Sequence, residues 1–256
     1  MNIVILAAGT GSRLLHHTDN TPKALVQLGG TPLLEYQLRV FEKIGLSKVH
    51  IVSGYMKEQF KKYDIYQYVN YEYQQSNMLH SLMKAKALFN KEEDLIISYS
   101  DIVYEPEILT ALIKKEGDIV VSADKDWQLL WDLRMEDPIQ DAESFKYDDK
   151  SNVTELGQPL TDLSSAQAQY IGLIKISAKS LPKVLQAFES LGLHQTKNMY
   201  LTDFIQHLIK IEMKVTASFH QRGWLEVDTV EDLSAYEELI KQRDYNTLGV
   251  SGKLFQ

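Results

Sequence analysis

Four runs of aliphatic residues punctuate the first half of this 256-residue chain: IVIL at 3–6, VHIV at 49–52, LII at 95–97 and IVV at 119–121. Only His50 interrupts them, so neither face of such a segment is left for water. That is the pattern of strands buried on both sides in a parallel sheet. Between the runs the spacing is helical. Leu34, Leu38, Phe41 and Ile44 recur at intervals of three and four within 31–44, as one face of a helix requires. Further helices are expected over 56–63, 78–89 and 107–115, with a short strand at 68–73. Alternation of strand and helix implies right-handed crossovers. The expected fold is α/β: three layers, with a Rossmann-like mixed, mostly parallel sheet flanked by helices. Ligands of such sheets bind beyond the carboxyl ends of the strands, where the loops after Leu6 and after Ile97 both lie.

The texture changes over 124–168, where tryptophans, acids and turn residues interleave and helical periodicity fades. This stretch reads as an excursion covering a pocket. A strand at 169–176, helices at 181–191 and 200–211, strands at 215–219 and 225–227 and a last helix at 230–243 follow. Residues 1–244 thus read as a single domain with an insertion at about 124–168, and 245–256 as a loosely held C-terminal tail.

Composition excludes several chemistries. With no cysteine there is no disulfide framework, thiolate metal site or cysteine nucleophile, which suits the cytoplasm. A net charge of −8 argues against a duplex nucleic-acid partner, which calls for a basic face. It does not argue against a local anion site made of a few cations and backbone N–H groups. No run approaches the ~18 apolar residues of a membrane span, and the apolar start is cut short by Gly9 to Arg13, unlike a secretion signal. A homodimer stays open.

The chemistry gathers at the first loop, ILAAGTGSR. Ala7, Ala8, Gly9 and Gly11 carry almost no side-chain bulk, so successive N–H groups there can wrap a polyphosphate or a base edge. Arg13 adds a forked cation and Lys23, about ten residues on, a point charge. The loop lacks the GxxxxGK[ST] of a P-loop and the third glycine of a dinucleotide fingerprint, and no acid stands where an NAD-linked oxidoreductase would need one. Two aspartates stand just past apolar strands, Asp101 after LII-Ser-Tyr-Ser and Asp228 after Leu225-Glu226-Val227. Either also reads as a helix cap, and Thr229 with Asp232 has the spacing of a capping box.

LAAGTGSR followed by Thr21-Pro22-Lys23-Ala24-Leu25 resembles the signature loop of the nucleoside-triphosphate transferase family. That family includes sugar-phosphate nucleotidyltransferases and, as the nearest likeness, bacterial phosphocholine-type cytidylyltransferases. The resemblance continues through Thr31-Pro32-Leu33-Leu34-Glu35-Tyr36, Val52-Ser53-Gly54-Tyr55, Ser76-Asn77-Met78 with Ser81, Tyr99-Ser100-Asp101, Tyr170-Ile171-Gly172 and Gly223-Trp224-Leu225-Glu226-Val227-Asp228-Thr229. It implies the nucleotide-diphospho-sugar transferase fold and a Mg²⁺-dependent transfer of a nucleoside monophosphate, with CTP favoured as donor. Asp101 and Asp228 would hold the ion, and Arg13 and Lys23 would stabilise the departing pyrophosphate. Leu6, Ala7, Ala8, Gly9, Thr10, Gly11 and Ser12 would cradle the nucleotide, with Gln75, Ser76, Asn77 and Ser81 beside the base and sugar.

The acceptor expected from the resemblance is a small phosphorylated molecule: phosphocholine, aminoethylphosphonate, phosphoglutamine or a polyol phosphate, feeding cell-surface polysaccharide decoration. Tyr170 falls in one of the shared strings. Trp131, Asp141 and Glu143 combine an aromatic face with carboxylates, as an ammonium group requires, and Arg134 is placed to take a phosphate. The same tryptophans equally anchor an irregular segment to a core. Two departures stand out. His16-His17-Thr18-Asp19-Asn20 replaces the commoner Pro-Leu-Thr pattern. Glu155-Leu156-Gly157-Gln158-Pro159 lacks the lysine of the sugar enzymes' Glu-Lys-Pro, which weighs against a sugar-1-phosphate acceptor with UTP or dTTP. A non-catalytic nucleotide sensor is the remaining reading, against which the retained Lys23, Asp101 and Asp228 count.

Overall fold

The computed structural model describes residues 1–256. Its centre is a seven-stranded sheet. The strands are β1 (Asn2–Ala7), β2 (Val49–Ser53), β3 (Tyr66–Val69), β4 (Leu95–Tyr99), β6 (Ile119–Asp124), β9 (Gln169–Ile176) and β10 (Val215–His220), lying in the order β10-β6-β9-β4-β1-β2-β3. Strand β5 (Ile102–Tyr104) stands outside it, as do β7 (Glu143–Tyr147), β8 (Val153–Pro159) and β11 (Trp224–Glu226). All neighbours in the sheet are parallel except β9, which runs antiparallel to both β4 and β6. The aliphatic runs behave as their composition requires: Ile3, Val4, Ile5, Leu95, Ile96, Ile97, Ile119, Val120 and Val121 are all buried. Their side chains alternate between two apolar layers, one on each face of the sheet.

The flanking helices are α1 (Leu33–Lys43), α2 (Met78–Leu82), α3 (Pro106–Lys114), α4 (Trp127–Arg134), α5 (Leu181–Leu191), α6 (Leu201–Lys210) and α7 (Val230–Gln242). None is long and apolar enough to cross a membrane. In α1 the buried stripe is Leu33, Leu34, Tyr36, Gln37, Val40 and Phe41. Gln37 has a task there: its amide donates to the carbonyls of Tyr99 and Ile102, both at 2.8 Å, and accepts from Ser98. The α1 helix thereby pins the turn between β4 and β5.

Several elements depart from expectation. The 56–63 segment is a 3₁₀ helix, Lys57–Lys62, and 78–89 breaks into α2 and a 3₁₀ stretch, Met83–Leu88, with a kink at Ala85. The strand expected at 68–73 lies at Tyr66–Val69. The excursion contains a true helix, α4, and an antiparallel hairpin, β7 with β8. Nor is the segment from 245 loose. Leu248 and Val250 are buried, and the Gly249 carbonyl accepts from the Gly223 amide at 2.8 Å. Leu248 and Val250 belong to the same apolar core as Ile102, Val103 and Trp224 of the β5–β11 ribbon, with Tyr245, Leu254 and Phe255 packed against it, a gain no periodicity in a dozen residues could announce.

Gly172 illustrates how tightly the sheet is built near its functional end. It has φ +82°, and a Cβ added there would stand 2.6 Å from the Tyr99 ring. It sits where the register of β9 against β6 shifts, between Tyr170 and Ile174, in the manner of a β-bulge. Gly172→Ala is expected to cost about 3 kcal/mol, backbone strain and overpacking acting together. Urea unfolding measures this, and a loss below about 1 kcal/mol would show that the ring moves freely.

Candidate active site

The carboxyl end of β1 opens into the Gly9–Gly11 loop, and the N–H groups of Gly9, Thr10 and Gly11 have no acceptor in the protein. Gly11 adopts φ +67°, and a Cβ there would meet that of Lys23 at 2.8 Å. Only glycine leaves room for the lysine stem. Lys23 starts a 3₁₀ turn, Lys23–Leu25, after Pro22, and its side chain runs back under the loop.

There its ammonium donates to Asp101 Oδ2 and Asp228 Oδ1, each at 2.6 Å, across 78 and 205 positions of chain. Arg13 reaches the other oxygen of Asp228 at 2.5 Å from a 64% exposed position. Burial alone would push the Lys23 amine down, but the two carboxylates outweigh it and hold it above its ordinary value. What brings Asp228 to Asp101 is the two-stranded antiparallel ribbon of β5 with β11, in the register Glu226 opposite Ile102. One step further on, the Val227 amide donates to the Asp101 carbonyl at 2.9 Å.

Around this cluster lies a cavity of about 400 Å³. Leu6, Ala7, Ala8, Gly9, Thr10, Gly11, Ser12, Arg13, Lys23, Ser76, Asn77, Ser81, Asp101 and Asp228 all line it, as do Ala24, Tyr73, Met78 and Ser100. Gln75, expected at the base edge, is exposed and outside this lining. The reason is local: Tyr73–Gln75 is a 3₁₀ turn, in which positions three apart share a side, so Tyr73 and Ser76 face the cavity and Gln75 does not. Behind Ser76 and Ser81 stands Asn70, fully buried, whose amide donates to both hydroxyls at 3.0 and 2.9 Å. A polar residue between Val69 and an acidic turn gave little hint of that role. Asn77 accepts from the Met78 amide and caps α2.

The residues expected at the acceptor divide. Trp131 is a core residue, 4% exposed, edge-on to Trp127 and tilted against Trp224. Its indole N–H is spent on Asp141 at 3.1 Å. Arg134 is not free to meet a phosphate. Its side chain is 1% exposed and donates to Glu226 at 2.6 Å and to Asp232 at 3.1 Å. A cation so buried must be paired from within. Glu143 and Tyr170 are not among the residues lining the cavity, and Tyr170 stands edge-on to Tyr99. Burial first, and then the nearby Asp203 and Asp141, push the Glu143 carboxyl up to about 7. Burial also pushes Glu226 up to about 7, against the pull of Arg134 and with Asp101 and Asp228 adding to it.

The Glu143 shift has a consequence for stability. Its folded value lies above its ordinary 4.5, so the fold favours the neutral carboxyl. Wild-type stability therefore falls as pH rises between those two values. Glu143→Gln keeps the neutral form at every pH. Its Tm is expected to equal the wild-type value near pH 4.5 and to exceed it by roughly 2–6 °C at pH 8. Parallel melting curves at both pH values check this, and an equal difference at the two would remove the titration from the account.

Residues 3–170 match the MobA-like NTP transferase domain. The CTP:phosphoglutamine cytidylyltransferase of Campylobacter jejuni is 35% identical over 253 residues, 93% of this chain and 100% of that protein. The choline-phosphate cytidylyltransferase of Streptococcus pneumoniae is 42% identical over 103 residues, 39% of this chain and 42% of that one. Among solved structures, the inositol-1-phosphate CTP transferase from T. maritima superposes with a TM-score of 0.76 at 20% identity, over 98% of this chain and 97% of that one. At that identity the likeness is one of fold: a mostly parallel central sheet between helical layers.

Proposed function

Since this chain belongs to the MobA-like NTP transferase family, we propose that it is a cytidylyltransferase, moving CMP from CTP onto a small phosphorylated acceptor with release of pyrophosphate. The observation that carries this is the ion cluster of Lys23, Asp101, Asp228 and Arg13 against the unpartnered loop amides, all on one cavity. Phosphoglutamine and phosphocholine, named by two relatives, are the first acceptors to consider. The product is an activated precursor for cell-surface polysaccharide decoration, and the reaction belongs in the cytoplasm with CTP.

The chain's own groups divide the work. The N–H groups of Gly9, Thr10 and Gly11 take the oxygens of the triphosphate. Lys23 and Arg13 turn from the carboxylates to the β- and γ-phosphates and neutralise the leaving pyrophosphate. An oxygen of the acceptor's phosphate attacks the α-phosphorus in line. A P–O bond forms to the acceptor as the bond to the β-phosphate oxygen breaks. A phosphate monoester is already anionic at neutral pH, so no side chain need act as base.

The carboxylates fit a divalent ion. Asp101 Oδ1 is buried with no hydrogen-bond partner, and a pair of hard carboxylate oxygens beside phosphates is the donor set Mg²⁺ takes. Asp101 and Asp228 would hold it, and when bound it neutralises oxygens of the α-phosphate.

Pyrophosphate release is measured with CTP and Mg²⁺ against phosphocholine, phosphoglutamine, 2-aminoethylphosphonate and a polyol phosphate. Turnover with CTP and at least one acceptor is expected. Preference for UTP or dTTP would reassign the donor, and silence with every nucleotide and acceptor would end the enzymatic reading.

A further inference from the structure

Arg134 sits in α4, inside the stretch that sequence alone assigned to covering the pocket, yet its three donor nitrogens all point at the segment carrying Asp228. Nη1 donates to Glu226 at 2.6 Å, and Nε and Nη2 take Asp232 bidentately at 3.1 and 3.4 Å. Its guanidinium therefore grips the chain two residues before and four residues after Asp228.

Asp232 does more than cap α7. The capping box needs only its exchange with Thr229, whose hydroxyl accepts from the Asp232 amide while Asp232 Oδ2 accepts from the Thr229 amide. The same Oδ2 also accepts from the backbone amide of Asp228 at 2.9 Å. The Asp232 side chain is 1% exposed, so without the guanidinium it would be a lone buried charge. Arg134 is in turn fixed from below, 5.0 Å over the face of Trp131, whose N–H is anchored on Asp141. Just before the other strand of the ribbon, the turn carrying Asp101 is held by Gln37 through the carbonyls of Tyr99 and Ile102, and the Asp101 carbonyl by the Val227 amide. One of the two carboxylates is thus set by α1, the other by α4 acting through Asp232.

We propose that Arg134 is a positioning residue for Asp228: it touches neither substrate, but its fork on Glu226 and Asp232 fixes the distance between the two carboxylates, and through it the affinity for the divalent ion in the nucleotide complex. This rests on the reading of Asp101 and Asp228 as ion ligands. Lysine does not reproduce the fork, because its single nitrogen cannot give Asp232 two donors from separate nitrogens while a third holds Glu226 in one plane.

The test uses Arg134→Lys, with Arg134→Met/Asp232→Asn/Glu226→Gln as a second variant that removes the guanidinium together with both carboxylates it pairs, so that none of the three is left as a lone charge. Two readouts are taken. One is the Mg²⁺ concentration giving half of the thermal shift in the presence of a non-hydrolysable CTP analogue. The other is steady-state kinetics with the best acceptor. Both variants are expected to raise the half-saturating Mg²⁺ about 10- to 100-fold, the usual scale for groups that orient metal ligands. They are expected to lower kcat in parallel at ordinary Mg²⁺, to recover part of it at high Mg²⁺, and to leave the acceptor KM within about two-fold. A raised acceptor KM with unchanged Mg²⁺ dependence would return Arg134 to the acceptor's phosphate. A loss of activity matching only the unfolded fraction would make it a plain core residue. Asp228→Asn, run alongside, separates the two claims. Full turnover in Asp228→Asn would defeat the ion-site reading itself, whereas a dead Asp228→Asn beside wild-type-like Arg134 variants would defeat only the inference.

Discussion

Asp101→Asn is expected to leave the fold intact and lower kcat by about 10³-fold, the loss seen when a charge-stabilising group is removed from a transition state. The first half of that expectation follows from what holds the turn. Gln37 binds the carbonyls of Tyr99 and Ile102, and the Val227 amide binds the backbone carbonyl of Asp101. None of these bonds uses the Asp101 carboxylate. Asparagine is nearly isosteric and its carbonyl oxygen can still accept from Lys23. Removing one of two negative charges that share a single ammonium also relieves repulsion. Unfolding in urea is therefore expected to change by no more than about 1–2 kcal/mol. The second half follows from Asp101 Oδ1, buried and without a partner. An amide at that position has less charge to offer a divalent ion and in one orientation presents N–H groups to it. A variant that unfolds but works normally per folded molecule would invert the assignment: Asp101 would then be a structural residue.

Lys23→Ala should damage both stability and catalysis, and its response to Mg²⁺ is the more telling result. The side chain is the only group placed between the two carboxylates. Without it Asp101 and Asp228 face each other largely uncompensated, since Arg13 contacts only Asp228 and does so from an exposed position. Stability is expected to fall by about 2–3 kcal/mol, the lower end of the cost of breaking a buried pair, because the cluster retains some solvent contact. In the wild type the ammonium already neutralises the carboxylates, so Mg²⁺ alone should move Tm little. In Lys23→Ala, Mg²⁺ should take the ammonium's place and return several degrees of Tm, by binding the native state only. Kinetically, kcat/KM for CTP is expected to fall about 10²- to 10³-fold with the acceptor KM nearly unchanged. Absence of any Mg²⁺-dependent recovery would mean that the two carboxylates do not form a cation site, whatever the fate of turnover.

Much of the molecule was legible from local pattern. The four aliphatic runs became β1, β2, β4 and β6, because a strand with no polar face has nowhere to go but the middle of a sheet. The small-residue loop and Lys23 meet at the end of β1 for an equally local reason: Gly11 and Pro22 shape the backbone within a few residues of where each acts. Less was legible where a short segment chose a tighter helix. In the 3₁₀ turn at Tyr73–Gln75 the cavity is lined by Tyr73 and not by Gln75, a choice of helical phase that composition does not encode. The closing segment and α4 were misjudged because their stability comes from what they pack on rather than from their own periodicity.

Residue chemistry along the chain thus specified the ingredients: an α/β sheet, a loop of free amides, two cations and two carboxylates. Whether the carboxylates meet was settled in three dimensions, by the register of the β5–β11 ribbon that sets Glu226 opposite Ile102. The role of Arg134 was settled there too, because a side chain as buried as this one cannot wait for a substrate. In a medium that solvates charge poorly it must be paired at once, and the two carboxylates it hydrogen-bonds frame Asp228. Pattern reports what each segment prefers, and long-range pairing and burial decide which of its groups remain free to act.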